Sequence, residues 1–246
     1  TAEVVSKQGL ILTNHHCGYS QIQQHSTLEN NYLKDGFWAM SKIEELTNPG
    51  LTATFIVSIK DVTNEVFIDT SGLSNSEFKK IISKNILKIQ NQSGNQPNYK
   101  YVVKPFFYGN KYYLITSKTY KDVRLVGAPP SAMGKFGGDT DNWVWPRHTC
   151  DFSVFRIYAN QENEPADISE NNIAYSAPVA LDVKVSGIKE NDFSMVFGFP
   201  GKTEQYLTSN AVDNYINIIL PARIEMRKNS LKHIDASMDL SESNFI

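Results

Sequence analysis

The stretch TAEVVSKQGLILTNHH, residues 1–16, decides how the rest of the chain is read. Two short apolar runs, around Val4-Val5 and Leu10-Ile11-Leu12, meet at Lys7-Gln8-Gly9, which is a hairpin signal. The second run stops abruptly at Asn14, and His15, His16 and Cys17 follow. The chain has only five histidines, so two side by side after a strand call for an explanation. Three readings compete: a metal site, a catalytic base, or two unremarkable surface residues.

Outward from there the strand signals continue. Residues 51–63, LTATFIVSIKDVT, form a β-branched run. Residues 74–90 switch to helical spacing, with Phe78, Ile81, Ile82, Ile86 and Ile89 on one face and Ser74 or Ser76 as N-cap. Strand patterns return at 99–109, at 111–130 and, after a Gly-rich loop, at DFSVFRIYA (151–159). Asn110 beside Gly109 marks another hairpin. PVALDVKVSGIKENDFSMVFGFP (178–200) is expected to add further short strands. Residues 18–40 are expected to be loop with short helical pieces, and the charge run KIEEL a solvated helical face. From about Lys202 the period changes: Val212, Tyr215, Ile216, Ile219 and Leu220 mark an amphipathic helix, with Pro221 as a kink or break.

Composition narrows the classes. The 246 residues, 41% of them apolar, suit one large domain or two small ones. Twenty-four basic against 26 acidic side chains give a net charge of −2, and no basic stripe favours nucleic acid. No apolar run approaches the length of a membrane span. Two cysteines permit one disulfide. Thr1 enters directly into a strand pattern and SESNFI closes a helical stretch, so both ends are expected to be cut from a longer chain.

Each candidate chemistry faces a plainer reading. His15, His16, Cys17 and His25 carry zinc-type ligands, but neighbours on an extended segment point opposite ways and no second ligand pair follows, so no metal is expected. A catalytic base needs an orienting carboxylate, a nucleophile and an oxyanion hole. A histidine just past a strand end suits the base, and Asp151, opening a strand whose Phe152, Val154, Phe155 and Ile157 look buried, suits the orienter. A strand-end Asp is more often just a cap or turn residue. GGDTDNWVWPRH (137–148) gathers Asp139, Asp141, Asn142, Trp143, Trp145 and Arg147, groups that a small polar ligand would need; the plainer reading is a loop whose Trp residues cover a core edge. GFPGKT lacks the first glycine of a phosphate loop, since Val196 stands there. MGKFGG lacks dinucleotide spacing, and Asp139 and Asp141 lack the rest of a calcium loop, so no cofactor is expected.

Three long motifs, GLILTNHHCGYSQIQQHSTLENNYLKDGFWA, GGDTDNWVWPRHTCDFSVFRIYA and VFGFPGKTEQYLTS, resemble the bacterial dipeptidyl-peptidase 7/dipeptidyl-peptidase 11 family, serine peptidase family 46. The resemblance implies a mainly β protein with a chymotrypsin-type, trypsin-like β-barrel catalytic domain and an inserted α-helical domain. Residues 1–202 would be the N-terminal part of the catalytic domain, its first barrel, and 203–246 the beginning of the helical insert. It implies removal of N-terminal dipeptides from peptides with a free N-terminus, through an acyl-enzyme, in the periplasm or at the surface of a Gram-negative bacterium, by a homodimer. His16 matches the family's general base and Asp151 its orienting carboxylate; Asn142 and Trp143 match the residues that hold the substrate's amine. His15 is the second-choice base.

Three departures accompany the match. No G-x-S-G nucleophile motif is present, so the serine is expected beyond Ile246 and this stretch alone is expected to be inactive. Cys150 stands where the family usually has Gly. Cys17 pairs, in the family, with a cysteine upstream of Thr1, leaving a Cys17–Cys150 bridge as the pairing open within the chain. The rival readings are a non-catalytic peptide-binding module and a metal-dependent hydrolase using His15, His16 and His25.

Overall fold

The computed structural model describes residues 1–138, 140–141, 144–196, 198 and 204–245. Two antiparallel sheets dominate it. The larger, seven-stranded, runs β1 (Glu3–Val4), β2 (Leu10–Thr13), β9 (Ser153–Ala159), β8 (Asp122–Ala128) and β3 (Phe37–Trp38), with β4 (Leu46–Thr47) also on β8 and β10 (Ile173–Ala174) on β9. The smaller has the order β5 (Ala53–Asp61), β7 (Lys111–Tyr120), β6 (Tyr99–Phe106). Only Lys121 separates β7 from β8, so the chain changes sheets within one extended run. Among the described residues neither sheet closes into a barrel.

Alternation explains the core. Leu125 and Ile157 on neighbouring strands are almost wholly buried, and Ile11, Phe155 and Val123 join them in one cluster with Ile22 and Leu33 from the helical segment after β2. A second cluster forms where Val62, Val103 and Tyr112 meet the apolar face of helix Asn75–Gln92. That helix is the one the spacing predicts, and Ser74 and Glu77 close a reciprocal capping box at its start.

Four expectations need correction. Residues 18–40 are not mostly loop: α1 (His15–His25) and α2 (Tyr32–Asp35) occupy much of them. Gly18 concealed α1 from propensity, and its presence is steric, because a Cβ there would lie 2.7 Å from Ser153 Oγ and 3.0 Å from the Phe155 ring. KIEEL is not a fully solvated face. Ile43 and Glu44 are exposed, but Glu45 is buried, taking Arg156 Nε at 2.8 Å and the Tyr158 hydroxyl at 2.8 Å. The strands expected over 178–200 do not form among the described residues: Val179, Leu181, Val183 and Val185 alternate as a strand would, yet all are exposed, and a single backbone bond, Leu181 N–H to the Val4 carbonyl at 2.8 Å, ties the run to β1 without a continuing ladder. Last, the helix after residue 202 exists but buries nothing. Further helices are α3 (Thr63–Val66), α4 (the Asn75–Gln92 helix), α5 (Ser131–Gly134), α6 (Ser209–Asn214) and α7 (Leu220–Met238). A π-turn over Tyr215–Ile219 joins α6 to α7 just before Pro221, whose missing N–H breaks the regular ladder. Val212, Ile216, Ile224 and Ile234 are all exposed. No helix among the described residues is long and apolar enough to cross a membrane.

Leu125 is the central side chain of the larger sheet. Leu125→Ala is expected to cost about 3 kcal/mol of stability, measured by urea denaturation, and a loss below about 1 kcal/mol would mean that this cluster does not hold the sheet.

Candidate active site

The site grows from one register. β2 and β9 pair with Ile11 opposite Phe155 and Thr13 opposite Ser153. Continuing past the strand ends, this pairing brings Asn14 and the first turn of α1 against Asp151. His16 therefore lies just past the end of β2, as expected, but in the first turn of α1 rather than in a loop, and Asp151 lies two residues before β9 rather than opening it.

The contact is direct. His16 Nδ1 is 2.7 Å from Asp151 Oδ2, and the His16 backbone N–H donates to Oδ1 at 3.0 Å. Asn14 Nδ2 donates to the same Oδ2 at 3.2 Å and to the Asp151 carbonyl at 3.2 Å. Burial alone would raise the Asp151 carboxyl; the hydrogen bonds from the His16 backbone and imidazole, with the field of the imidazolium, outweigh it and hold the group below the usual carboxylate range. An ionised carboxylate only accepts, so Nδ1 carries the hydrogen, and the neutral imidazole keeps its lone pair on Nε2. The helix N-terminus adds to the hold on the negative charge. This arrangement can take a proton at Nε2 and stabilise the resulting cation. The His16 side chain is 70% exposed and that of Asp151 25%, so Nε2 is accessible to a hydroxyl brought from elsewhere.

His15 does the opposite. Helical neighbours point about 100° apart, and His15 turns inward to 1% exposure. Its ring lies so close to α5 that a Cβ on Gly134 would be 2.4 Å from it, and Tyr19 meets it edge-on at 6.2 Å. Burial is the main influence and lowers its pKa; Asp151 and the Pro129 carbonyl pull the other way. Its Nε2 has no hydrogen-bond partner among the described residues. His25 is held by Asn48 Oδ1 at 3.1 Å. The three histidines of the metal reading thus serve three different partners, and no cluster of metal-ligating side chains occurs among the described residues. Cys17 and Cys150 are exposed, free thiols rather than a bridge.

Asn142 and Trp143, with Asp139, lie outside the described residues. The loop that carries them joins α5, in contact with His15 through Gly134, to Asp151, so both its ends are fixed at the pair. Within it Trp145 is 85% exposed, and Phe136 meets the His148 ring at 6.0 Å. Sequence reasoning missed the inward role of His15, the glycine that makes room for it, and the turn of Asn14 toward Asp151. Asn14 shows no signal beyond its place before the doubled histidine.

Unfolded, His15 takes up a proton near pH 6.5; folded, it does so only at lower pH. Below 6.5 the unfolded chain therefore binds more protons, and stability falls as pH drops below that value. Thermal melting should show this slope, and His15→Gln should flatten it; equal slopes in the two proteins would contradict the buried neutral imidazole. Gly134→Ala should destabilise by about 1–3 kcal/mol through overpacking, read in the same melts.

An Asp/Glu-specific dipeptidyl-peptidase of Capnocytophaga gingivalis is 52% identical over 97% of this chain, which spans 34% of that relative. A dipeptidyl-peptidase 7 of Phocaeicola vulgatus is 49% identical over 92% of the chain and 32% of its own length. The crystal structure of Porphyromonas endodontalis DPP11 in complex with the dipeptide Arg-Asp superposes with a TM-score of 0.84 at 43% identity, covering 98% of this chain and 36% of that one. The chain thus spans about a third of the length of the curated relatives it matches. The family model described as Peptidase S46 matches residues 1–245, and the chain belongs to that family.

Proposed function

We propose that this chain is the base-bearing portion of a serine dipeptidyl aminopeptidase, which releases N-terminal dipeptides from peptides through an acyl-enzyme. The observation that carries the reading is the 2.7 Å contact between His16 Nδ1 and Asp151 Oδ2, joined to membership of the Peptidase S46 family. His16 is the general base and Asp151 its orienter. Nε2 takes the proton of a serine hydroxyl as the hydroxyl oxygen attacks the second peptide carbonyl. The imidazolium then returns that proton to the leaving amine, and water repeats the sequence on the ester.

The serine and its oxyanion hole are assigned to a downstream part of the full-length protein. The exposed Nε2 side of His16 suits a nucleophile delivered from outside this stretch. The two sheets would belong to the first barrel of a chymotrypsin-type catalytic domain over residues 1–202, and the helix after Thr208 to an inserted helical domain beginning at about 203. Asn142 would accept from the substrate's ammonium group, and the Trp143 indole would close the cleft around it. Relatives named Asp/Glu-specific match at 46–52% identity and those named dipeptidyl-peptidase 7 at 44–49%. That overlap suits a region serving the shared chemistry rather than the choice of side chain. A homodimer in the periplasm or at the cell surface of a Gram-negative bacterium fits the same reading.

The test uses the full-length protein and dipeptidyl substrates with free and blocked N-termini. Cleavage should require the free amine. His16→Ala should abolish release, Asp151→Asn should lower kcat by about 10⁴-fold, and His15→Ala, assayed where it is folded, should keep most activity. The reverse order of the two histidine variants would sink the assignment.

A further inference from the structure

We propose that Asn14 is a positioning residue for the His16–Asp151 pair, holding the carboxylate so that one oxygen meets the imidazole and the other the backbone of α1. The inference rests on the function proposed above. Asn14 stands at the N-cap of α1, where an Asn side chain ordinarily accepts an N–H from the first turn. It makes no such bond. Asp151 Oδ1 takes the His16 N–H instead, at 3.0 Å. The freed Asn14 amide turns to Asp151 and donates twice, to Oδ2 at 3.2 Å and to the backbone carbonyl at 3.2 Å. Asp151 is thereby gripped at its main chain and at its carboxylate by one side chain. The grip is itself anchored, because the wholly buried Ser153 donates from Oγ to the Asn14 carbonyl at 2.8 Å, next to the Thr13–Ser153 pair of the sheet.

The chemistry of the amide suits the task. It supplies two N–H donors without a charge. A lysine or arginine here would neutralise Asp151 and weaken its hold on the imidazolium, whereas an alanine would leave the carboxylate held by His16 without the Asn14 amide. Two donors, the Asn14 amide and His16 Nδ1–H, share Oδ2. Removing the amide returns negative charge density to the bond with the imidazolium, so the proton on His16 should be held to higher pH. The ionisable groups acting on Asp151 from the packed elements are His16 and, behind it, His15.

Asn14→Ala and the isosteric Asn14→Asp are made in the full-length protein. In Asn14→Ala, kcat should fall on the order of tenfold to a hundredfold from lost orientation with KM nearly unchanged, and the acid limb of the kcat/KM profile should move to higher pH. Asn14→Asp, which sets a second carboxylate beside the first, should move that limb further, by roughly one pH unit. A folded variant with an unaltered limb and kcat overturns the proposal. Failure of both variants to fold overturns it too, since Asn14 would then serve the scaffold alone. Dipeptide release by the unaltered protein is measured first: its absence counts against the proposed function, and the pH at which His16 titrates, followed by NMR on histidine-labelled protein, then judges the clamp by itself.

Discussion

Everything at this site depends on where one carboxylate sits. Asp151 is not a residue of α1, yet it caps that helix, accepting a backbone N–H that a local side chain would normally satisfy. The same carboxylate accepts from the imidazole one residue into the helix. Helix start, imidazole orientation and strand register are therefore a single arrangement: moving any one of them moves the others. The pairing of β2 with β9 supplies the rigidity, because it fixes Asn14 and Asp151 relative to each other before either side chain is placed. A mobile loop could hold such groups only at the expense of ordering entropy at each encounter.

Much of this was legible from residues. Period-two runs located β5, β6, β7, β8 and β9, and the three-and-four spacing located α4 with its Ser74 cap. Residue types point to a histidine past β2 and to Asp151, whereas the choice of His16 over His15 comes from the family resemblance alone; the structure brings His16 and Asp151 into contact. The missed parts share a cause. α1 carries Gly18 and few apolar residues, and what favours it lies far off in sequence: the Asp151 cap and the Phe155 ring that Gly18 must approach. Glu45 was misread for the same reason, since Arg156 and Tyr158, which make its burial tolerable, are more than a hundred residues away. Local patterns carry propensity, whereas partners for buried charge come from tertiary structure. The alternating run over 178–196 errs the other way. Its pattern is strand-like, but one bond from Leu181 to Val4 of β1 does not make a ladder.

The apolar surface is unevenly finished. Around β8 and β9 the core is dense, whereas Val185, Ile188, Phe193 and much of α6 and α7 face outward. Exposed patches of this extent usually mark contact surfaces.

The doubled histidine illustrates how little separates an anchor from a reagent. His15 and His16 are chemically identical side chains, and only a rotation of about 100° along the helix assigns one to the interior and the other to the carboxylate. Insertion of a single residue before His15 would bring His15 to the place facing Asp151, and deletion of one would bring His16 to the place against Gly134. The segment therefore tolerates changes of side chain far better than changes of length. Its spacing is a counted quantity, protected by the packing against Gly134 on one side and the carboxylate on the other.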